Sequence, residues 1–92
     1  MDRVYVFKYS FGQKDPYLTD SVSILFKTME GATAEMFHTV ARSLVTYKGD
    51  PEYLEEVKTC LEKKDWVNLP SSWRRYTEGN ENISVLSTQL RD

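Results

Sequence analysis

The sequence has a single cysteine and a single histidine among its 92 residues. Cys60 has no partner for an internal disulfide, and a lone thiol is typical of proteins from reducing compartments. His38 has no second histidine with which to share a metal ion. The spacings of zinc sites, phosphate-binding loops and dinucleotide-binding loops are all missing. We therefore expect no metal, no cofactor and no catalytic residues, and the protein is predicted not to be an enzyme.

Long apolar stretches are also missing, and the runs that occur are as short as residues 24–26. A membrane-spanning helix needs about 20 apolar residues. The opening Met1-Asp2-Arg3, followed by alternating residues, is unlike a signal peptide, so a cytoplasmic location is expected. Twelve basic and fourteen acidic residues give a net charge of −2, which argues against nucleic-acid binding through bulk positive charge. The length predicts a single domain over residues 1–92.

Two strands are predicted in the first third of the chain. Residues Arg3–Tyr9 are β-branched and aromatic, and alternation places Tyr5, Phe7 and Tyr9 on one face. Residues Ser10–Asp20 contain turn-forming residues and are expected to be a loop. Residues Ser21–Met29 alternate again and predict a second strand, antiparallel to the first.

Helical signals follow. Gly31-Ala32-Thr33 predicts a helix start, with Thr33 as the N-cap and Glu35 in the first turn, and Gly49 is expected to end the helix. Asp50 and Pro51 predict the start of a second helix. The apolar stripes predicted to pack on the sheet are Phe37, Val40, Ala41, Leu44 and Val45 in the first helix, and Leu54, Val57 and Leu61 in the second.

The last third is less regular. Ser71 or Ser72 is expected to cap a short helical turn that carries Trp73 to Tyr76, and 78–80 is expected to be a turn. Asn82–Leu90 has features of a strand and of a helix, and its β-branched residues favour a strand. The prediction is an α+β fold, a small antiparallel sheet with two packed helices, in the order β-β-α-α-(short helix)-β.

Acidic residues cluster in and around the second predicted helix. One explanation is that carboxylates near a helix N-terminus complement its dipole. The other is that they imitate phosphates. A helix rises about 1.5 Å per residue, which sets Glu52 and Glu56 about 6 Å apart along the axis and Glu55 and Glu62 about 10 Å apart, coarsely comparable with alternate phosphates of one DNA strand. The candidate partner-binding carboxylates are Asp50, Glu52, Glu55, Glu56, Glu62 and Asp65.

Aromatic and basic residues allow two other functions. Arg74 and Arg75, flanked by Trp73 and Tyr76, form a single-stranded nucleic-acid site if they act together with the aromatic face of the first strand. Alternatively, an exposed Trp66 or Trp73 anchors a protein partner, and the protein is a small adaptor in which charge matters little.

Two segments carry a resemblance to a known family. The opening residues 4–12 (VYVFKYSFG) and the helix start 50–56 (DPEYLEE) resemble the anti-restriction nuclease (Arn) family, small early proteins of T-even bacteriophages. The resemblance implies a dimeric DNA mimic in the host cell cytoplasm that occludes the DNA-binding surface of a host protein. The implied targets are a McrBC-type restriction enzyme or a histone-like nucleoid protein. Direct contact with nucleic acid or membrane is not implied, and the acidic residues above would stand in for phosphates.

Overall fold

The computed structural model describes residues 3–12 and 20–89. The strands are β1 (Arg3–Phe11), β2 (Asp20–Phe26) and β3 (Asn82–Gln89). The α-helices are α1 (Met29–Thr46), α2 (Leu54–Lys63) and α3 (Leu69–Tyr76), and a single 3-10 turn, Pro51–Tyr53, leads into α2. The predicted α+β class and element order are confirmed, including a strand in the last segment.

The three strands form one antiparallel sheet in the order β2-β1-β3, so the first strand lies in the middle. Phe7 lies opposite Ile24 of β2 and Val85 of β3, and Val6 lies opposite Leu25 and Leu86. Odd-numbered residues of β1 therefore share one face with Ile24 and Val85. This is the face on which Tyr5, Phe7 and Tyr9 were expected to lie together.

The helices pack on that face and bury its centre, while Val22 and Ile24 of β2 stay partly exposed at 44% and 36%. Phe7 is 2% exposed and Trp73 is fully buried, while residues on the opposite face of the sheet remain at least partly exposed. Trp73 contacts Tyr47 and Tyr76 with ring-centroid distances of 6.3 and 5.4 Å. The buried apolar cluster consists of Phe7, Met36, Val40, Val57, Cys60, Leu69, Trp73, Tyr76 and Ile83.

The first helix begins earlier than the sequence predicted. Thr28 is its N-cap, and the Thr28 side chain accepts a hydrogen bond from the Gly31 N–H at 3.0 Å. The predicted cap, Thr33, lies within the helix, where its hydroxyl donates to the Met29 carbonyl at 3.0 Å. The predicted extension of the second strand through Met29 is therefore wrong, because a side-chain cap at Thr28 fixes the start of the helix.

The buried face of α1 is also rotated relative to the prediction. Val40 is buried as expected, but Ala41 is exposed and Val45 is 84% exposed. The buried positions of this helix are Ala32, Thr33, Met36, Thr39 and Val40. In α2, Val57 is buried as predicted, together with Cys60.

Gly49 follows the end of α1 as predicted, but it does not terminate the helix. The C-cap residue is Tyr47 in an extended conformation, and Gly49 does not have a positive φ angle. A Cβ atom on Gly49 would lie 2.1 Å from the carbonyl oxygen of Tyr76. The neighbouring Asp50 N–H donates to that same oxygen at 2.8 Å, so glycine allows the chain to pass close to the end of α3.

Candidate functional site

Asp50 and Asp65 bracket the acidic segment and stabilise its turns. The Asp50 carboxylate accepts a hydrogen bond from the Glu52 N–H at 3.0 Å, and Pro51 occupies the first position of the 3-10 turn. The Asp65 carboxylate accepts from the Asn68 side-chain amide at 2.8 Å and from its backbone N–H at 3.1 Å. These bonds, the side-chain one foremost, lower the pKa of Asp65. Both carboxylates therefore have a structural role.

Glu56 ties α2 to α3. Its carboxylate accepts a hydrogen bond from the Ser72 hydroxyl at 2.8 Å and forms an ion pair with Arg75. The pKa of Glu56 is lowered, first by the Ser72 hydrogen bond and then by Arg75. The Arg75 guanidinium also lies over the Tyr53 ring, 5.6 Å from its centroid. The charge of Glu56 is thus compensated within the protein, which reduces its value as a phosphate substitute.

Three of the six predicted carboxylates are exposed and accept no side-chain hydrogen bond from another described residue. Glu55 and Glu62 are two turns apart on the side of α2 opposite the buried Val57, and Glu52 precedes them in the 3-10 turn. Glu55 forms a 3.8 Å ion pair with Lys58, and both side chains are largely exposed. We refer to Glu52, Glu55 and Glu62 as the acidic face.

Basic residues interrupt and border the acidic face. Lys58 lies between Glu55 and Glu62, and Lys63 and Lys64 follow at the C-terminal end of the helix. Lys64 has a positive φ angle of 55° and its ammonium group lies 5.3 Å from the centroid of the Phe37 ring. The surface is therefore one of mixed charge with three outward carboxylates rather than a continuous acidic stripe.

The aromatic residues of the two alternative functions lie mainly inside the protein. Trp73 and Phe7 are buried, and the strand aromatics face the helices. Tyr9 and Phe11 are partly buried and line a groove between the sheet and α1. The buried Trp73 is unable to anchor a partner, whereas Trp66, in the turn before α3, is 40% exposed.

The arginines of the predicted nucleic-acid site differ in their surroundings. Arg75 pairs with Glu56, whereas no ion pair between described residues involves Arg74. Both arginines are exposed and line an open groove between α3 and β3. The lining of this groove includes both arginines and none of the β1 aromatics Tyr5, Phe7 and Tyr9.

A buried polar cluster around Glu81 was not predicted from the sequence. Glu81 is 5% exposed, and one of its carboxylate oxygens accepts hydrogen bonds from the Tyr9 hydroxyl and, at 3.3 Å, from the Trp73 indole N–H. Its backbone N–H donates to the Thr77 hydroxyl at 3.2 Å. Burial and the bond to Glu81 raise the pKa of Tyr9 to about 12. A glutamate between two turn-forming asparagines gives no sequence signal of burial.

The remaining candidates for chemistry lie apart. His38 is exposed on α1, while Cys60 is buried with its Sγ 3.7 Å from the Ser72 hydroxyl. Within residues 3–12 and 20–89, no three histidine, cysteine, aspartate or glutamate side chains come together as a metal site. None of the helices in these ranges has the length and apolar character needed to cross a membrane.

Comparison with known proteins found no match: no family model, no curated protein and no solved structure is significantly similar to this chain.

Proposed function

We propose that the protein is a non-enzymatic inhibitor that binds a DNA-binding protein through the acidic face and so occludes that protein's DNA-binding surface. The observation that supports this proposal is that Glu52, Glu55 and Glu62 are exposed, with Glu55 and Glu62 on the side of α2 opposite the buried Val57. The sequence resemblance to the Arn family favours a McrBC-type restriction enzyme or a histone-like nucleoid protein as the target.

The distances suit arginine and lysine side chains that normally hold a DNA strand. Glu55 and Glu62 are seven residues apart, which corresponds to about 10 Å along the helix and is close to three phosphate steps of about 3.4 Å along the duplex axis. Exposed carboxylates of this kind steer association with a basic surface and are screened by salt. Asp50, Glu56 and Asp65 contribute mainly by holding this helix in place.

One chain presents too few free carboxylates to cover a DNA-binding cleft. We therefore include a homodimer in the proposal, because two-fold symmetry would place two copies of the acidic face on one particle. Sedimentation of the purified protein at several concentrations measures this directly, and a monomer at all of them would contradict this part of the proposal.

The test of the acidic face is a pull-down from bacterial lysate at low and moderate salt, followed by competition of any captured protein with duplex DNA. The test variant replaces Glu52, Glu55 and Glu62 with Gln. The control variant carries Asp20→Asn, Glu30→Gln and Glu35→Gln. Each variant removes three negative charges and so changes the net charge from −2 to +1. We expect the wild type and the control to capture a DNA-binding protein that duplex DNA displaces, and the test variant to lose it.

Equal capture by both variants, with little effect of salt, would contradict the proposal. Loss of that salt-tolerant capture on Trp66→Ala would then favour the adaptor function, since Trp66 is the tryptophan that reaches the surface.

A further inference from the structure

The face of the sheet opposite the helices carries an apolar row that crosses all three strands. Val6 in the central strand lies directly opposite Leu25 on one side and Leu86 on the other. Leu25 is 67% exposed and Leu86 is 51% exposed. None of the residues on this side of the sheet belongs to the buried cluster, and we call it the open sheet face.

The charges on and next to the open sheet face are positive. Lys8 is exposed and lies opposite Ser23 and Ser84, in the row of residues next to the apolar one. Lys27 is exposed and follows Leu25 by two residues, immediately after β2. Among the described residues of the three strands, this side presents no carboxylate, and neither lysine takes part in an ion pair between described residues.

We propose that the open sheet face binds an amphipathic helix of a partner protein, with an apolar stripe over Leu25, Val6 and Leu86 and acidic residues on its flanks. Neighbouring strands are about 4.8 Å apart, so the row from Leu25 to Leu86 spans about 9.6 Å. Positions i and i+7 of a helix are separated by about 10.5 Å, so a helix lying across the strands places apolar residues at i, i+3 or i+4, and i+7 along this row.

Lys8 suits an acidic residue on one flank of the partner helix. It lies two residues from Val6 along the strand, about 7 Å away, within reach of a carboxylate beside the apolar stripe. Lys27 lies on the opposite side of the row at the β2 edge, and it suits an acidic residue on the other flank. The proposed partner is therefore an acidic amphipathic helix, and a basic one would be repelled.

A second copy of this chain fits the open sheet face less well. Packing of two such faces about a two-fold axis would bring lysines together in the absence of a carboxylate. Three strands about 4.8 Å apart and about eight residues long present on the order of 400 Å², whereas a stable dimer buries about 800 Å² per partner. The size and the charge both favour a single helix.

The test uses the whole protein and a displayed library of helical peptides that share a fixed leucine stripe. The flanking positions vary among Glu, Lys, Gln and Ser. We expect selection on the wild type to enrich peptides with Glu on the flanks, and amide shifts in NMR spectra to locate the best of them at Val6, Leu25 and Leu86. Leu25→Ser with Leu86→Ser should weaken that peptide at least tenfold, and Val45→Ser, an equally polar change on α1, should leave it unchanged.

A charge reversal distinguishes the proposed binding from non-specific hydrophobic binding. Lys8→Glu with Lys27→Glu should turn the preference from Glu-flanked to Lys-flanked peptides. Four results would overturn the proposal. The first two are no enrichment of any peptide and enrichment without a flank preference. The other two are wild-type behaviour that the Leu25→Ser, Leu86→Ser variant loses: self-association, or binding to vesicles of three parts phosphatidylcholine and one part phosphatidylglycerol. None of these results bears on the acidic face, which lies on α2 and on the 3-10 turn before it.

Discussion

Replacement of Tyr9 with Phe should lower stability and also remove a pH dependence. The Tyr9 hydroxyl donates a hydrogen bond to the buried Glu81 carboxylate, whose other side-chain donor is Trp73. A hydrogen bond to a charged group contributes about 1.5–3 kcal/mol. We expect Tyr9→Phe to lower the free energy of unfolding by this amount at pH 8, as measured by urea denaturation.

The difference between wild type and Tyr9→Phe should shrink above pH 10. The pKa of Tyr9 is raised in the folded protein from 10.0 to about 12, so between these values the folded state holds a proton that the unfolded state has released. The stabilisation is fully present below pH 10 and is lost as the pH rises through 12. Such a rise in pKa corresponds to at most ~2.7 kcal/mol, and partial exposure of the hydroxyl reduces it to about 1–2 kcal/mol.

Urea denaturation at pH 8, 10 and 11.5 measures this difference. Absorbance at 295 nm follows the tyrosinates in parallel, and Tyr9→Phe should remove an ionisation near pH 12. Tyr53→Phe is the control, and its stability should depend on pH as that of the wild type does. Parallel pH profiles for the wild type and Tyr9→Phe would refute the argument, since the Tyr9–Glu81 bond would then contribute nothing to the pH dependence of the free energy of unfolding.

Three further changes test the packing and the helix contact. Gly49→Ala should cost at least 2 kcal/mol in urea denaturation, because its Cβ meets a backbone oxygen of Tyr76 that has little room to move; a cost near zero would contradict the close approach. Val57→Ala should cost about 2–3 kcal/mol and lower the melting temperature by about 8–20 °C, since Val57 is fully buried; a loss under 1 kcal/mol would contradict its place in the core. Ser72→Ala should raise the pKa of Glu56 toward its ordinary value, because the Ser72 hydroxyl is the main cause of the lowered pKa, and NMR titration of the side-chain carboxyl measures this; an unchanged pKa would leave Arg75 as the cause.

The sheet was predictable because alternation requires only local sequence. Tyr5, Phe7 and Tyr9 share the buried face as their spacing indicates, and Asp50 caps the turn that begins at Pro51. The boundary at Thr28 was missed because alternating residues continue past the point where a threonine cap starts the helix. The spacing of three and four residues in α1 predicted an apolar stripe. Which residues of the helix are buried depends on the side of α1 that faces the sheet, and the spacing does not determine this.

The state of each carboxylate could not be predicted from the acidic cluster alone. Glu56 and Arg75 are 19 residues apart, and their contact exists because α2 and α3 pack side by side. The burial of Trp73 and Glu81 likewise depends on β1 and β3 meeting beneath α3. Sequence patterns identify charged residues, whereas tertiary packing decides which charges remain available to a partner.

The placement of β1 between β2 and β3 has a consequence for how the chain folds. The β1–β2 pair closes over a short stretch, but Arg3 pairs with Gln89 across more than eighty intervening residues. Closing so large a loop costs chain entropy, and folding slows as the contacts become more distant in sequence. During synthesis, the hairpin and α1 can form while β3 is still within the ribosome. One edge of the central strand then has no neighbour until the last strand emerges, and in that interval it is open to pairing with other chains.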